Sequence, residues 1–244
     1  GINAVHEALR RNARSLSEVL IQKGKAGPKV QEIIDLARQH KVRVRFVEGE
    51  RLPVPRNCRH QGVVARQTEA EFLPLEELLE QTLADSGRIL ILDSIQDPRN
   101  LGSILRSALA AGFRSILLTR ERSAPLTGTV ARASAGAIAH LRIAQVVNLV
   151  TALDMLKEHG FWIYGSVAEQ TAPSIYNTDF SGRLGLVIGS EGKGVRPLVR
   201  KHCDHLVTIP MSTDFDSLNA SVAAALMMFE VVRQESSARN IVPG

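Results

Sequence analysis

Apolar residues recur along the last two thirds of the chain in six short runs, which are separated by segments with helical periodicity. Runs that are apolar at nearly every position are typical of strands buried on both faces. Their alternation with helices predicts a parallel sheet in an α/β domain. Ligands of such sheets bind beyond the carboxyl ends of the strands. The predicted strands are residues 89–92, 115–118, 140–143, 161–164, 184–188 and 205–209.

The beginning of the chain has a different texture, with shorter apolar segments that alternate between helical and strand-like spacing. An amphipathic helix is predicted at the start and a second one after Pro28, with strands at 19–21, 42–46 and 60–65. This pattern predicts a small α+β domain over residues 1–66. A polar linker follows, and Pro74 fits the first turn of a helix. We therefore predict three parts: residues 1–66, a linker and leading helix at 67–84, and the α/β domain at 85–244.

Positive charge is concentrated in the first of these parts. The formal net charge is +5, but residues 1–70 contain 14 Lys and Arg against 7 Asp and Glu, whereas the remaining residues contain 16 against 18. A basic domain joined to a near-neutral one predicts that the first part contacts a polyanion. The alternative is that the basic surface only keeps the protein soluble. Aromatic residues make up 4% of the chain, too few to favour a platform of stacking rings for RNA.

Several classes of protein are excluded by the sequence. The longest stretch without a charged residue, 217–229, is thirteen residues long, which is short of the ~18 to 20 that a membrane-spanning helix needs. No basic segment followed by an apolar one opens the chain, so nothing suggests export. The two cysteines, Cys58 and Cys203, are far apart and form no metal-binding spacing. We expect no metal site and a cytoplasmic location.

The first predicted strand of the α/β domain is followed by a polar loop and a helix. Asp97-Pro98 forms a turn, and the helix is predicted to begin near Asn100, with Arg106 nearly two turns further on. Because this spacing does not place the two side chains on one helical face, Asn100 as an N-cap and Arg106 as a solvated residue is the simpler interpretation. A joint functional role is the alternative.

Two further loops follow the fifth and sixth predicted strands. The first contains Gly189, Gly192 and Gly194, which allow positive φ angles and close approach of a ligand. It matches neither a P-loop nor a dinucleotide-binding loop, so a tight turn and a ligand loop both remain open. The second loop contains Ser217 and Asn219, either of which can cap the long helix that follows.

Together, the three loops resemble the three motifs of the SpoU/TrmH branch of the SPOUT methyltransferases. The matching blocks are N-x-x-x-x-x-R from Asn100 to Arg106, G-x-E-G from Gly189 to Gly192, and S-L-N from Ser217 to Asn219. Each block is weak alone, but their order and their positions after strands make the joint signal strong. The segments 1–9 and 60–63 are similar to the family's small substrate-binding domain, so the resemblance covers the whole chain.

The resemblance implies a fold and a cofactor. The fold is a small L30e-like α+β substrate-binding domain followed by a parallel-sheet α/β domain with a deep trefoil knot, an exception to the rule that chains do not thread themselves. The cofactor is S-adenosylmethionine, bound in the knot without a metal. By correspondence, Gly189, Ile209 and Leu218 contact it.

The resemblance also implies roles for the remaining motif residues. Arg106 is the residue assigned to assist loss of the hydroxyl proton. Because arginine is not deprotonated in proteins, a grip on a phosphate and on the developing alkoxide is the alternative role. Glu191 either shapes the site or caps the next helix. The acidic pair Asp214 and Asp216 departs from the neutral residues expected there. The implied catalytic set is Asn100, Arg106, Glu191, Ser217 and Asn219.

The activity implied is methylation of the ribose 2′-hydroxyl of a guanosine in 23S ribosomal RNA by a homodimer that forms through the C-terminal domain, including residues 217–233. One alternative is a sibling enzyme acting on tRNA or on another rRNA nucleoside. A second is a non-catalytic RNA-binding ribosome-assembly factor. The absence of a dinucleotide loop argues against an oxidoreductase. The candidate RNA contacts are Lys23, Lys25, Lys29, Arg38, Lys41, Arg43, Arg45 and Arg56.

Overall fold

A computed structural model of the chain describes residues 1–13, 16–54, 60–67, 72–169, 171–212 and 218–239. It divides into two compact units, residues 1–70 and 71–244. Among the predicted functional residues, Ser217, Asp214, Asp216 and Arg56 lie outside the described part of the chain. No helix among the described residues is both long and apolar enough to cross a bilayer.

The first unit is a three-stranded sheet with two helices packed on one face. Its strands have the order β2-β1-β3, with β2 parallel and β3 antiparallel to β1. Val19 and Ile21 of β1 pack with Leu9 of α1 and Ile33 of α2 in one apolar cluster. The predicted α+β domain is confirmed. Its elements are α1 (Ile2–Asn12), β1 (Leu16–Gln22), α2 (Pro28–Gln39), β2 (Arg43–Val47) and β3 (Val63–Gln67).

The second unit is a six-stranded parallel sheet with helices on both faces, which confirms the predicted α/β class. Its strands are β4 (Arg88–Asp93), β5 (Ser115–Thr119), β6 (Arg142–Val146), β7 (Trp162–Val167), β8 (Leu184–Gly189) and β9 (His205–Thr208). Its helices are α3 (Leu75–Ala84), α4 (Pro98–Ala110), α5 (Gly128–Ala133), α6 (Leu149–Glu158), α7 (Pro197–Lys201) and α8 (Ala220–Arg239).

Alternation along the strands divides the core of this unit into two layers. Leu90 and Leu92 of β4 pack in the layer that contains residues of α4 and α8, whereas Ile89 and Ile91 pack in the layer that contains residues of α3 and α6. Because both faces of the sheet are covered, the strands are apolar at nearly every position.

The strand order is β6-β5-β4-β8-β7-β9, so the chain reverses its direction of travel across the sheet between β4 and β8. In an open parallel sheet, ligands bind in the crevice at such a reversal, beyond the carboxyl ends of the strands. The loops that follow β4 and β8 are therefore the expected place for a ligand. The trefoil knot stays a prediction.

Two predicted strands are displaced. The strand predicted at 140–143 is observed at Arg142–Val146, because residues 137–140 form a 3-10 turn and Arg142 is the first residue in register with β5. The strand predicted at 60–65 begins at Val63, because Gln61 and Gly62 adopt φ angles of 53° and 78° and form a turn.

Candidate active site

Asn219 is the cap of the long helix α8. Its Oδ1 accepts hydrogen bonds from the backbone nitrogen of Ser221 at 2.9 Å and from the Ser221 hydroxyl at 2.6 Å. The capping interpretation is therefore correct for Asn219. Because Oδ1 is fixed against the helix, the Nδ2 group of the same amide is left to donate elsewhere.

The amides of Asn100 and Asn219 both donate to the carboxylate of Glu191. Asn219 Nδ2 donates to Glu191 Oε1 at 2.6 Å, and Asn100 Nδ2 donates to the same oxygen. Asn219 Nδ2 also lies 3.2 Å from Asn100 Oδ1, which closes a ring of three side chains from three distant segments. The other carboxylate oxygen, Oε2, has no partner among the described residues. We call these residues the Asn–Glu–Asn cluster.

This geometry corrects two interpretations from the sequence. Helix α4 begins at Pro98, and its N-cap is Asp97, whose side chain accepts from the backbone nitrogen of Arg99 at 2.7 Å. Asn100 lies within the first turn and is not the cap. Glu191 does not cap α7 either, since the N-cap of that helix is Arg196 and no side chain bonds it there.

The glycine loop closes tightly on itself. Ser190 and Gly194 exchange backbone hydrogen bonds of 3.1 Å and 2.9 Å, and Gly192 and Gly194 have φ angles of 75° and 63°. A Cβ atom on the buried Gly189 would lie 2.0 Å from the carbonyl carbon of Gly194. Only glycine fits at this position, and the close return of the chain exposes Glu191 at the tip of the loop.

Two cavities adjoin the Asn–Glu–Asn cluster. The first, which we call the β8 cavity, measures about 410 Å³ and is lined by Gly189, Ile209 and Leu218, all three of the residues predicted to contact the cofactor. The second, which we call the β4 cavity, measures about 550 Å³ and is lined by Asn100 together with residues that follow β4. Ser190, Glu191 and Ala220 line both cavities. Glu191 therefore lies where the two cavities meet.

Of the described residues in the predicted catalytic set, only Arg106 lies away from the junction of the two cavities. It lies on α4 with its side chain exposed, and it lines neither cavity. Its side chain has no hydrogen bond or ion pair with any residue that the structure describes. Within one chain, Arg106 and the Asn–Glu–Asn cluster are separate.

A buried ion pair that no sequence motif indicated lies beside the cluster. The Asp93 carboxylate at the end of β4 is fully buried, and it accepts from the backbone nitrogen of Arg196 at 2.9 Å and from its Nε at 2.6 Å. The available signal was an acidic residue ending an apolar strand, because a buried carboxylate needs a partner. Arg196 also lines the β4 cavity, together with Arg122 and Lys193.

Thiol and metal chemistry find no support among the described residues. Burial raises the pKa of the Cys203 thiol to about 12, so the thiolate is scarce at neutral pH. The described part of the chain holds no group of histidines, cysteines and carboxylates that could bind a metal ion.

Two models of known protein families match this chain. A model described as the SpoU rRNA Methylase family matches residues 87–229, and one described as RNA 2′-O ribose methyltransferase substrate binding matches residues 1–73. The chain belongs to the SpoU rRNA methylase family. All three motif loops of this SpoU chain lie within the first match, and the basic segment lies within the second.

Relatives of this SpoU chain match it over nearly its full length. It is 43% identical over 241 residues to the 23S rRNA (guanosine-2′-O-)-methyltransferase RlmB of Xanthomonas campestris pv. campestris, covering 98% of this chain and 96% of that protein. It is 41% identical to a Staphylococcus aureus protein named as a tRNA/rRNA methyltransferase of the TrmH family, covering 96% of this chain and 94% of that protein.

Solved structures share the SpoU fold. The methyltransferase AviRb from Streptomyces viridochromogenes, in complex with AdoMet, superposes with a TM-score of 0.71 at 23% identity, covering 97% of this chain and 89% of that chain. An AdoMet-bound rRNA methyltransferase from Sinorhizobium meliloti gives 0.71 at 23% identity, covering 96% of this chain and 85% of that chain. At this identity, the likeness is one of fold.

Proposed function

We propose that this protein transfers a methyl group from S-adenosylmethionine to the ribose 2′-hydroxyl of a guanosine in 23S ribosomal RNA, and that it does so in the cytoplasm. The observation that carries the proposal is the Asn–Glu–Asn cluster at the junction of two cavities, in a chain 43% identical to RlmB over 98% of its length. A transfer reaction needs two adjoining binding sites, and a polar group where they meet.

The β8 cavity fits the cofactor. Thr208 lines it and is buried, and the Oγ1 atom of Thr208 has no hydrogen-bond partner among the described residues. A buried hydroxyl without a partner is costly, so a ligand with a polar edge is expected there. Ile209 and Leu218 supply apolar wall, and Gly189 lets the ligand approach the backbone. These three residues and Thr208 would hold S-adenosylmethionine without a metal.

The chain's own residues then act on the ribose. When bound, S-adenosylmethionine would supply a methyl group on a positively charged sulfur: the 2′-oxygen would bond to the methyl carbon as the carbon–sulfur bond breaks, and the sulfur would leave as the neutral thioether of S-adenosylhomocysteine. The hydroxyl proton must leave at the same time, and Glu191 Oε2 at the junction of the cavities is a carboxylate oxygen able to accept it. Asn100 and Asn219 hold the other oxygen and so orient the carboxylate. The predicted role of Ser217 stays a prediction.

Arg106 has a different role in this proposal. Its guanidinium remains charged at neutral pH and cannot accept the proton. It contributes a positive charge for RNA phosphate or for the alkoxide, supplied from the exposed face of α4. Because Arg106 lines neither cavity of its own chain, a second copy of the chain or the bound RNA has to bring it into the reaction.

The first unit binds the RNA in this proposal. It carries the excess of positive charge, and it matches a substrate-binding family model. Part of that charge is neutralised within the unit: Lys23 pairs with Glu48 at 2.8 Å, and Arg45 lies 3.5 Å from Glu18. Among the candidate RNA contacts, Lys25, Arg38, Lys41 and Arg43 have no ion pair within the described residues. These four are the first to test for phosphate contacts.

We further propose a homodimer formed through α8. Val222, Leu226 and Phe229 are all exposed, and their spacing of four and three residues places them on one face of the helix. The opposite face, with Ala224, Met227 and Met228, is buried in the core. An exposed apolar stripe on a helix already anchored in the fold is typical of a protein interface.

The test is a map of ribose methyl groups in ribosomal RNA by mass spectrometry, from cells with and without the gene. We expect one guanosine in 23S RNA to lose its methyl group and to regain it on incubation with the purified protein and S-adenosylmethionine. Loss of a methyl group from tRNA instead would support the sibling activity, which the Staphylococcus aureus relative's name favours. An unchanged map of both RNAs would overturn methyl transfer.

A further inference from the structure

Three basic side chains line the β4 cavity. Arg122, Lys193 and Arg196 line it, together with the acidic residues Asp97 and Glu191. The carboxylate of Asp97 is engaged as the cap of α4, and that of Glu191 accepts two amide hydrogen bonds. These hydrogen bonds come from neutral groups and leave both carboxylate charges in place, so the lining side chains carry a net formal charge of +1 (three cations against two carboxylates). Arg122 and Lys193 are its cations without an ion pair among the described residues.

Arg196 is the one cation of the three that is fixed in place. Its backbone nitrogen and its Nε both donate to the fully buried Asp93 carboxylate, one to each oxygen. Holding the guanidinium by Nε leaves its two terminal nitrogens without a partner among the described residues. About a third of the side chain remains exposed at the cavity. This arrangement presents two parallel N–H donors, the geometry that binds an oxyanion at two oxygens.

We propose that Arg196, positioned by Asp93, binds the RNA backbone phosphate next to the target ribose in the β4 cavity, with Arg122 and Lys193 adding charge. The proposal rests on the proposed function, because Glu191 must contact the same ribose from the junction of the cavities. It assigns to Arg196 a fixed phosphate grip, the role given above as the alternative for Arg106.

Two oxyanions are available to such an arginine, the RNA phosphate and the carboxylate of the cofactor's methionine part. Arg196 lines the β4 cavity but not the β8 cavity, which places it on the RNA side of Glu191. The experiment therefore measures affinity for RNA and for S-adenosylmethionine separately.

The matched pair of variants is Arg196→Gln and Arg200→Gln. Both remove one guanidinium at helix α7, but Arg200 pairs with Glu169 and lines neither cavity. Binding of a guanosine-containing RNA fragment is measured by fluorescence anisotropy at several salt concentrations. Binding of S-adenosylmethionine is measured by calorimetry. Thermal melting establishes that each variant folds.

We expect Arg196→Gln to weaken RNA binding at least tenfold and to reduce the slope of log K against log salt by about 0.7 to 0.9, the loss of one phosphate contact. Affinity for S-adenosylmethionine should stay within twofold. Arg200→Gln should match the wild type in RNA affinity, in the salt dependence of that affinity and in affinity for S-adenosylmethionine. Arg196→Lys keeps the charge but loses the two-donor geometry, so it should raise KM for RNA with little change in kcat.

Asp93→Asn tests the positioning role. It keeps the shape of the buried side chain but removes the charge that orients Arg196, so it should raise KM for RNA without changing kcat for bound RNA. If this variant fails to fold, the comparison of Arg196→Gln, Arg196→Lys and Arg200→Gln still decides the proposal.

Three results would overturn the inference. One is equal RNA affinity and salt dependence in Arg196→Gln and Arg200→Gln. Another is a loss of S-adenosylmethionine affinity in Arg196→Gln with RNA affinity intact, which would assign Arg196 to the cofactor's carboxylate. The third is full rescue by Arg196→Lys. Because RNA binding is measured directly, these results stand even if the wild type methylates no RNA, which would overturn the proposed function alone.

Discussion

At the scale of single residues, a structural role and a functional role coincide in Asn219. Its oxygen caps α8, and that bond aims its nitrogen at Glu191. From the sequence, capping alone explains Asn219, whereas in the structure the cap is what orients the amide. A polar residue at a helix start near a cavity therefore cannot be assigned to capping alone.

Glu191 carries the most direct prediction at this scale. Glu191→Gln keeps a side-chain oxygen to accept from Asn100 and Asn219 but removes the proton acceptor. We expect kcat to fall by about 10² to 10⁴-fold, the usual contribution of a general base. Affinity for S-adenosylmethionine should stay within a few fold. The measurement is single-turnover transfer of labelled methyl to RNA, with the rate compared between the wild type and the variant at one pH.

The control for that prediction is Glu158→Gln, which removes an exposed carboxylate at the end of α6 that lines neither cavity. It should transfer methyl at the wild-type rate. Near-normal turnover in Glu191→Gln, alongside complete loss in Arg106→Ala, would move the proton-accepting step away from Glu191.

The contact that sequence reasoning missed joins two residues far apart in the chain. Asp93 and Arg196 are separated by 103 positions, and neither belongs to a recognisable motif block. Strand composition predicts burial of the segment that ends at Asp93, but it does not predict which cation reaches it. The three motif loops were predictable because their residue types and order are distinctive. The ion pair depends on the adjacency of β4 and β8, which only the fold supplies.

At the scale of secondary structure elements, α4 and α5 approach each other at Gly102. A Cβ atom there would lie 2.3 Å from the Cβ of Ala133 and 2.9 Å from the carbonyl oxygen of Val130. In an exposed helix, replacing glycine by alanine would gain about 1 kcal/mol. Here the added methyl group meets backbone that cannot move away freely, and overpacking costs about 1 to 3 kcal/mol.

We therefore expect Gly102→Ala to lower the free energy of unfolding, measured by urea denaturation. The neighbouring Ser103→Ala lies on the exposed side of the same helix and should raise it by a few tenths of a kcal/mol, about the difference in helix propensity. A higher free energy of unfolding for Gly102→Ala would show that α5 can move away and make room for the added methyl group.

The elements themselves were largely predictable, and the errors have local causes. All six strands of the parallel sheet were predicted from apolar runs. A strand that is covered on both faces is apolar at nearly every position, so its run of apolar residues is easy to recognise. The strand at Arg142–Val146 was placed too early, since residues 137–140 form a 3-10 turn, and Ile138 of that turn packs on the core together with Leu141, which follows it. Periodicity cannot separate a short apolar turn from the beginning of a strand.

At the scale of the whole molecule, the uneven distribution of charge along the chain coincides with its division into two units. The first unit carries the positive charge, and the second carries the cavities that adjoin the Asn–Glu–Asn cluster. The fold class and the positions of the motif loops followed from the sequence. The separation of Arg106 from the cluster did not, because the order of residues in a motif does not show which of their side chains come together in the folded chain.

The last prediction concerns the homodimer, which we expect to form through the exposed apolar face of α8. Leu226 is in the middle of the exposed stripe, one turn from both Val222 and Phe229, so a carboxylate there would be enclosed without a partner in a dimer. We expect light scattering to give a dimer mass for the wild type and a monomer mass for Leu226→Asp at micromolar concentration, with unchanged helix content by circular dichroism. Val147→Asp, a substitution of an exposed apolar residue outside α8, should leave the dimer intact. A Leu226→Asp protein that keeps the dimer mass would place the interface elsewhere. A wild type that is monomeric would require the bound RNA alone to bring Arg106 into the reaction.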